Sequence, residues 1–447
     1  FIGLEIHAQL RTRSKMFCGC ATRFGDPPNT NVCPVCTGQP GSLPAVNGKA
    51  VELGCAAALA LGCEVRETSR FARKSYFYPD LPKGYQISQY ERPLAEHGRL
   101  DFATGGAERS VGIVRLHLEE DAGRSLHDRA QGRTLIDFNR CGVPLAEIVT
   151  APALRSPEEA SDCLRALRLL LLQLGACDGS LEQGSLRCDV NVSVRRAGEQ
   201  ALRTRVEVKN LNSFRHVREA LVHEIARQTG LRERDEPVRA QTRSWNEAAG
   251  ATEVLREKEE APDYRYFPEP DLPPLVLESG FVERVRAGLP ELPAARTRRY
   301  ERELGLPAHD AAVLAARRVA AELFEDVASR LAAAGVDAAH RRASAFVLTE
   351  VLRDVGRDGE EDPEGGGPPV DAERLAELLG LAAGGAISNL AAKEVYREML
   401  SSAEHPAAIV ARKGLAQVSD TEAIERAARA ILAEHPQEAA RVRAGNF

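Results

Sequence analysis

Four segments in the N-terminal half of the chain alternate between apolar and polar residues, which is typical of β-strands with one buried face. The segments are residues 2–10, 111–121, 189–194 and 204–210. Their polar positions include Glu5, His7, His117, Glu119, Asp189, Asn191, Glu207 and Lys209. The last two segments are joined by a short connection containing Gly198, so they are predicted to pair as an antiparallel hairpin. Asp189 and Glu207 would then lie close together on one polar face.

Two amphipathic helices are predicted in the same half of the chain. The first begins after Ser156, a residue type favoured at the N-cap, has Pro157 at its first position, and ends at Gly175. The second is expected over residues 213–228, because Gly230 follows its apolar stripe. Both stripes are interpreted as core packing rather than as ligand sites.

The composition changes near residue 280. Before this point Gly, Pro, aromatic residues and strand-like alternation dominate, and after it the chain is rich in Ala, Arg, Glu and Leu with helical spacing. A chain of 447 residues is too long for one ordinary core, so the pattern predicts an α+β domain followed by all-helical domains. An acidic, Gly- and Pro-rich segment at 357–369 is predicted to be a linker, and residues 419–422 form a predicted capping box.

Charge, hydropathy and motifs exclude several classes of protein. A net charge of −6 excludes a generally basic nucleic-acid coat, so any RNA partner must meet a local basic patch. The longest apolar runs, residues 56–61 and 167–172, are far shorter than a membrane span. The sequence contains no P-loop and no dinucleotide-binding fingerprint, and Arg227 stands where a zinc protease would need its second histidine after His223.

The ten cysteines fall into two groups. Six lie singly in apolar or helical stretches, which is typical of buried thiols in a reducing compartment. The other four form two close pairs, Cys18 with Cys20 and Cys33 with Cys36. Two such pairs can supply four thiolates to one zinc that braces the fold. Two reduced pairs without metal and a redox CxxC motif are the alternatives, and Pro34 in a turn-rich stretch weakens the redox interpretation.

The polar faces of the predicted strands are rich in oxygen ligands. A solvated sheet face is the simpler interpretation of any single strand, but Glu5, Asp189 and Glu207 together suit a hard cation such as Mg²⁺, which binds carboxylates, water and phosphate. Basic residues that could neutralise phosphate charge are Lys74, Lys83, Arg124, Arg140, Arg205 and Lys209. The combined pattern therefore favours metal-dependent phosphoryl transfer over a solvated face.

Several long runs of the sequence resemble one family, the GatB proteins of the glutamyl-tRNA(Gln)/aspartyl-tRNA(Asn) amidotransferase. The runs are GLEIHAQL at 3–10, KSYFYPDLPKGYQISQY at 74–90, LHLEEDAGRSLHD at 116–128, TLIDFNRCGVPLAEIV at 134–149, RCDVNVSVR at 187–195, RVEVKNLNSF at 205–214, DYRYFPEPDLPPL at 263–275 and AISNLAAKEVYREM at 386–399. The resemblance covers essentially the whole chain, and runs of this length are highly specific. One departure is Arg124, which stands where lysine is common in the family.

The resemblance implies a fold, an activity and partners. A catalytic domain at 1–284 would have an antiparallel sheet like that of glutamine synthetase and the guanido kinases, followed by a helical domain at 285–377 and a truncated YqeY-like tail domain at 378–447. ATP would phosphorylate the side-chain carboxylate of Glu or Asp mischarged on tRNA, and ammonia from an amidase partner would displace phosphate. The partners in a heterotrimer would be a GatA-type amidase and a small GatC-type subunit. The implied cofactors are ATP, Mg²⁺ and structural Zn²⁺.

The same resemblance implies site residues. Those implied for the magnesium site are Glu5, His7, Glu120, Asp189 and Glu207. Those implied more weakly for ATP or the aminoacyl end are Lys74, Tyr78, Lys83 and Lys209, and those implied for zinc are Cys18, Cys20, Cys33 and Cys36. Alternation along the strand places Glu119 on the polar face, whereas the resemblance selects Glu120. The resemblance therefore predicts a bulge or a strand end at this point. The segment 263–275 is interpreted either as lining the ammonia route or as a rigid loop.

Two other functions are compatible with parts of the sequence. One is a catalytically silent, zinc-braced tRNA-binding subunit, and the other is a free-standing ligase that joins an amine to a small carboxylate. The retained set of acidic residues argues against the first, and the long helical tail argues against the second. The predicted location is the bacterial cytoplasm, with an organellar matrix as the alternative.

Overall fold

The computed structural model describes residues 1–128, 132–257, 264–354, 368–417 and 421–437. The chain forms two compact units, Phe1–Pro293 and Ala294–Phe447. The finer division at residues 284 and 377 stays a prediction. Most of the predicted linker, residues 357–367, and the start of the predicted capping box, residues 419–420, lie outside the described residues.

The first unit is built around one large β-sheet. The strands of this unit are β1 (Ile2–Gln9), β2 (Glu64–Val65), β3 (Thr68–Ser69), β4 (Phe71–Ser75), β5 (Tyr85–Gln89), β6 (Ala95–Thr104), β7 (Ala107–Glu120), β8 (Arg124–Asp128), β9 (Arg133–Asp137), β10 (Pro144–Thr150), β11 (Leu186–Val192), β12 (Val206–Lys209), β13 (Gln241–Asn246), β14 (Ala251–Glu257), β15 (Phe267–Pro268) and β16 (Leu275–Val276). Nine of them form a sheet in the order β14-β13-β12-β11-β1-β10-β7-β6-β2. Smaller sheets contain β15-β4-β5, β16-β3 and β8-β9.

The large sheet is mostly antiparallel. β12 and β13 run parallel, and the other neighbouring pairs of this sheet run antiparallel. The predicted hairpin is confirmed, because β11 and β12 pair antiparallel with Val190 opposite Val208. The expectation of an α+β unit with a mainly antiparallel sheet is therefore also confirmed.

Helices cover the apolar face of the large sheet. They are α1 (Gly48–Ala60), α2 (Pro157–Gln173) and α3 (Phe214–Glu233), and a fourth helix, α4 (Phe281–Ala287), packs against α1. Their buried side chains meet the apolar positions of the strands, such as Leu4, Ile6 and Val190. α1 approaches β7 so closely at Gly54 that a Cβ atom there would lie 2.7 Å from the Leu118 side chain. A larger side chain at this position would therefore displace the Leu118 side chain.

The two predicted helices are present, with one difference at an end. Ser156 caps α2, since its hydroxyl accepts a hydrogen bond from the Glu159 amide at 3.1 Å. The prediction that the next helix stops before Gly230 is wrong, because α3 continues through this residue to Glu233. The additional turn packs Leu231 against the core. Burial of that side chain outweighs the cost of a glycine in a helix, which is about 1 kcal/mol.

The three-stranded sheet β15-β4-β5 lies against the end of β7. The Gln86 side chain in β5 donates to the Glu120 carbonyl at 2.7 Å, and the Ser88 hydroxyl donates to the Glu119 carboxylate at 3.1 Å. The Gln89 side-chain oxygen accepts from the Leu118 amide at 3.1 Å. These hydrogen bonds hold β5 beside the acidic end of β7, which carries Glu119 and Glu120.

The second unit is helical in its described residues, as predicted. Its elements are α5 (Pro293–Glu303), α6 (Ala308–Ala315), α7 (Arg318–Ala333), α8 (Ala339–Phe346), a π-helical turn (Val347–Val351), α9 (Leu352–Asp354), α10 (Ala372–Ala383), α11 (Asn389–Met399), α12 (Pro406–Lys413) and α13 (Thr421–Glu434). Buried residues of α7, including Phe324 and Val327, lie in its core. In the described part of the chain, no helix has the length and apolar character needed to cross a bilayer.

Candidate active site

A histidine and two carboxylates converge on the polar face of the large sheet. His7 on β1 lies opposite Glu147 on β10, and Glu147 lies opposite His117 on β7. The His7 Nε2 lies 3.3 Å from a Glu147 oxygen and 3.8 Å from a Glu119 oxygen. One donor atom from each of His7, Glu119 and Glu147 lies within 4.8 Å of the others. This group, called the triad below, offers one nitrogen and two oxygens to a divalent cation.

His117 stands between the two carboxylates of the triad. Its Nε2 lies 3.3 Å from Glu147 and 3.7 Å from Glu119, and its side chain is buried. Burial alone would lower the pKa of His117, but the two carboxylates raise it to about 9. Burial would likewise raise the pKa of Glu147, but His117 and His7 hold it well below its usual value. The triad carboxylates are therefore ionised, and a protonated His117 neutralises part of their charge when no metal is bound.

Replacing His117 with alanine is expected to destabilise the metal-free chain by about 2 kcal/mol, because two buried carboxylates then lack their cation. Mg²⁺ is expected to recover more stability in this variant than in the parent chain, since the ion supplies the charge that the imidazolium had supplied. Urea unfolding in EDTA and in Mg²⁺ measures both effects. Equal stabilisation of the two chains by Mg²⁺ would contradict this arrangement.

A second group of carboxylates lies on the same face around Lys209. Glu5 on β1 is opposite Asp189 on β11, and Glu207 on β12 is opposite Asn191. The Lys209 Nζ lies 2.5 Å from the Asp189 carboxylate and 3.2 Å from that of Glu207. Burial, followed by the neighbouring carboxylates, raises the pKa of Glu5. The prediction that Asp189 and Glu207 lie close together on one polar face is confirmed, and Glu5 lies there with them.

Glu120 lies on the other side of β7 from its neighbour Glu119. β7 ends at Glu120, and its pairing with β10 continues without a bulge there, so alternation sends the two carboxylates to opposite faces. Glu120 forms a buried ion pair with Lys83 and accepts a hydrogen bond from the Ile87 amide at 3.0 Å. The structure therefore brings Glu119, rather than Glu120, to His7. The expected strand end is present, but it does not turn Glu120 toward the other carboxylates.

The other residues predicted to contact ATP or the aminoacyl end line two different cavities. A cavity of about 1150 Å³ is lined by Lys74, Tyr78 and Lys209. A cavity of about 190 Å³ contains Lys83 and Glu120. Burial would lower the pKa of Lys74, but the two triad carboxylates raise it. Two lysines in the wall of the large cavity therefore also interact with the acidic face. Lys74 lies near the triad carboxylates, and Lys209 lies within the second group of carboxylates.

The four clustered cysteines form a compact sulfur site. One Sγ from each of Cys18, Cys20, Cys33 and Cys36 lies within 4.8 Å of the others, which suits a tetrahedral zinc. The buried Lys15 ammonium lies 3.6 Å from the Cys36 Sγ. Hydrogen bonding from Cys18 is the largest influence in lowering the pKa of Cys36 to about 4, and Lys15 contributes. The donor set therefore fits zinc, with a nearby cation to offset the thiolate charge.

Replacing Cys33 with serine is expected to lower bound zinc from about one ion per chain to well below that. The thermal midpoint is expected to fall by about 5 °C or more, because the metal then no longer closes the loop. Atomic absorption and thermal unfolding measure the two effects. The control Cys177→Ala removes a buried thiol outside the cluster and is expected to retain zinc. Full zinc content in the Cys33 variant would contradict the site.

Comparison with known families classifies the chain. The GatB/GatE catalytic domain matches residues 1–283. This match spans more than half of the chain and contains the triad, the second group of carboxylates and the cysteine cluster. The chain belongs to the GatB/GatE family. A second match, to the GatB domain associated with YqeY, covers residues 322–447.

Individual relatives agree with the GatB/GatE assignment. One relative, from Anaeromyxobacter dehalogenans, is named as the B-type subunit of the aspartyl/glutamyl-tRNA(Asn/Gln) amidotransferase. It is 51% identical over 445 residues, which is 99% of this chain and 91% of that protein. Proteins of the same name from Thermodesulfovibrio yellowstonii and Myxococcus xanthus are 47% and 48% identical, with the same coverage. The family and the class of enzyme predicted from the sequence, a component of an amidotransferase ligase, are therefore confirmed.

Glu147 is the member of the triad to which no sequence pattern pointed. It lies in a run that resembles the family, but the residues from Val143 to Val149 have the apolar character of a buried strand. Glu147 is the only charged residue in that run. A lone carboxylate in an apolar strand requires a partner, and this was the signal that could have found it. Glu119 and His117 were placed on the polar face but were not selected.

Proposed function

We propose that this GatB-family chain uses ATP to phosphorylate the side-chain carboxylate of Glu on tRNA(Gln) or Asp on tRNA(Asn), and then amidates it with ammonia. The observation that carries the proposal is the triad of His7, Glu119 and Glu147 beside a large cavity with Lys74 and Lys209 in its wall. Ionised carboxylates for a metal and lysines for phosphate are what phosphoryl transfer between two anions requires.

The chemistry explains why these charges are placed together. A carboxylate resists attack by ammonia because it is anionic and because oxide is a poor leaving group. Transfer of the γ-phosphoryl group of ATP to a carboxylate oxygen forms an acyl phosphate and releases ADP. Ammonia then adds to the carbonyl carbon, and the C–O bond to phosphate breaks as the amide forms. The first step brings two anions together, and in the second step negative charge develops on the carbonyl oxygen and the leaving phosphate, so positive charge around them lowers both barriers.

The charged residues divide into ligands and phosphate-binding groups. The proposed magnesium ligands are His7, Glu119 and Glu147 for one ion, with Glu5, Asp189 and Glu207 as the set for a second. When bound, Mg²⁺ supplies positive charge to the phosphate oxygens. Lys74 and Lys209 attract phosphate or the substrate carboxylate from the cavity wall. Tyr78 borders the same cavity and is proposed to contact ATP or the aminoacyl end.

Glu120 and Lys83 are proposed to act on the ammonia route instead. They line the small cavity together with Asp271, which belongs to the segment 263–275 of the sequence prediction. Of that segment, residue 263 lies outside the described residues. Arg73 holds the segment by two hydrogen bonds to the Glu269 carboxylate at 2.8 and 2.9 Å. An ordered, polar lining of this kind suits the passage of ammonia, which is a small polar nucleophile. The same hydrogen bonds also make the segment a rigid loop.

The assembly and the setting are part of the same proposal. A GatA-type amidase would release the ammonia, a GatC-type subunit would complete a heterotrimer, and the bacterial cytoplasm would be the location. The likeness of the catalytic sheet to that of glutamine synthetase and the guanido kinases belongs to the proposal as well. The relatives of this chain carry the name of such a subunit and come from bacteria, which supports this setting.

The proposal is tested by ATP hydrolysis in the reconstituted complex. Hydrolysis is expected to depend on Glu-tRNA(Gln) or Asp-tRNA(Asn), and amidation with added ammonia is expected to continue when the amidase partner is inactive. Glu207→Gln is expected to lose the hydrolysis while retaining tRNA binding. Full activity in this variant would remove the second group of carboxylates from the mechanism. Binding of tRNA without any RNA-dependent hydrolysis would favour the non-catalytic, zinc-braced subunit.

A further inference from the structure

Five of the eight tyrosines of the chain form one continuous row of rings. In order along the row they are Tyr78, Tyr76, Tyr264, Tyr266 and Tyr90, called the tyrosine track below. The centroids of successive rings lie 5.9, 6.2, 6.1 and 4.1 Å apart. The last pair is stacked face to face with an interplanar angle of 7°, whereas the other contacts are edge-to-face.

The track connects two cavities on either side of the small three-stranded sheet. Tyr76 and Tyr78 follow β4, Tyr264 and Tyr266 precede β15, and Tyr90 follows β5. The first three rings of the track line the cavity of about 1150 Å³. The last two line a separate cavity of about 200 Å³. The rings therefore lead from the space beside the acidic face to a second pocket farther along the surface.

Both ends of the track are open to solvent. Tyr78 is 58% exposed and Tyr90 is 48% exposed. The two tyrosines of the helical unit, Tyr300 and Tyr396, are buried and donate their hydroxyls to carboxylates. Core packing and these hydrogen bonds account for Tyr300 and Tyr396 without a ligand. Two exposed rings joined by three half-buried ones form a surface that favours a planar, apolar partner.

The surroundings of the track are rich in cations. The Lys74 ammonium lies 5.0 Å from the centre of the Tyr264 ring and 5.9 Å from that of Tyr76. The other cationic residues that line the large cavity are Lys209, Arg256 and Arg265, and those that line the smaller one are Arg70 and Arg92. Glu91 is the acidic residue in the lining of the smaller cavity. In a chain of net charge −6, this is a local basic strip, and it favours an anionic partner.

We propose that the tyrosine track is the stacking surface for the unpaired 3′-terminal nucleotides of the acylated RNA. This inference rests on the proposed function and adds the residues that hold the RNA end. Rings that stack with bases, combined with cations along the phosphates, are how proteins bind single-stranded nucleic acid. A row of five rings suits several successive nucleotides, whereas the base of ATP would occupy one position. Lys74 lies beside Tyr76 and Tyr264 within the row, so a strand stacked from Tyr90 toward Tyr264 would present its aminoacyl group to the acidic face.

Kinetics of the full complex separate the RNA from the nucleotide. Tyr90→Ala and Tyr78→Ala are each expected to raise the KM for Glu-tRNA(Gln) about tenfold, because each removes one base–ring contact. The KM for ATP is expected to stay within about twofold in Tyr90→Ala, because Tyr90 lines the smaller cavity. Tyr90→Phe, which keeps the ring and removes only the hydroxyl, is expected to behave like the parent chain. Because Tyr78 and Tyr90 are both exposed, their variants are expected to fold, which thermal unfolding checks.

A binding experiment tests the same contact without catalysis. The complex is titrated with uncharged tRNA(Gln) and with the same RNA lacking its three terminal nucleotides. Truncation is expected to weaken binding to the parent complex by more than about tenfold, and to weaken binding to the Tyr90→Ala complex about tenfold less than that, because one of the base–ring contacts is already absent there. Additive losses, or a raised KM for ATP with an unchanged KM for RNA, would overturn the proposal. If RNA-dependent ATP hydrolysis is absent in the parent complex, the proposed function fails, while this binding measurement still decides the role of the track.

Discussion

Replacing Glu147 with glutamine is expected to reduce RNA-dependent ATP hydrolysis by the complex at least about 100-fold. The change removes one of two anionic ligands of the triad while keeping the size and shape of the side chain. Glu147 lies 3.3 Å from both His7 and His117, so its loss also frees both imidazoles to reorient. The rate at saturating ATP and RNA measures the effect, and magnesium titration shows whether added metal restores activity.

Two further variants make this experiment specific. Asp101→Asn removes an exposed carboxylate from β6 in the same sheet and is expected to leave activity unchanged. Glu120→Gln is expected to affect the amidation yield more than ATP hydrolysis, because Glu120 faces Lys83 and the small cavity. If Glu120→Gln abolished hydrolysis while Glu147→Gln did not, the ligand set derived from the structure would be incorrect.

Replacing Lys83 with methionine is expected to lower the free energy of unfolding by about 3–5 kcal/mol, which is typical when one partner of a buried ion pair is removed. The Lys83 and Glu120 side chains are only 4% and 2% exposed, so solvent cannot replace the missing ammonium. The remaining carboxylate would keep its hydrogen bond from the Ile87 amide, but it would lack a cation. Urea unfolding of the isolated chain measures the loss.

The double variant Lys83→Met/Glu120→Gln is expected to recover most of that stability, because no buried charge is then left without a partner. Lys49→Met provides the control, since Lys49 and Glu52 form an exposed ion pair whose loss is expected to cost less than about 1 kcal/mol. Additive destabilisation by the two single changes would show that Lys83 and Glu120 do not depend on each other in the folded chain.

β1, β7, β11 and β12 were predictable because apolar and polar residues alternate along each of them. In β1, Ile2, Leu4 and Ile6 face the core and Glu5 and His7 face the other side, and this alternation follows from the geometry of a strand. The pairing of β11 with β12 followed from the short connection between them. The place of β1 at the centre of the sheet was not predictable, because pairing between distant strands leaves no local pattern in the sequence.

The ligand set was harder to predict than the strands that carry it. Alternation alone favoured Glu119 for the polar face, and the resemblance to the GatB family shifted the choice to Glu120. The structure follows the alternation, because β7 keeps its regular pairing up to its last residue. Glu147 escaped notice because β10 is covered on both faces along most of its length, so its sequence shows no alternation between apolar and polar residues.

The central position of β1 also determines when the acidic face can form during synthesis. β1 is made well before its two neighbours in the sheet, β10 and β11, which end at residues 150 and 192. Until residue 150 has left the ribosome, β1 has no partner on either edge, and until residue 192 has left it β1 has no partner on its β11 edge. Contacts between such distant segments slow folding and leave β-strands open to aggregation. The ligands contributed by β1 therefore reach their partners late in translation, and nascent chains shorter than about residue 192 are expected to depend on chaperones.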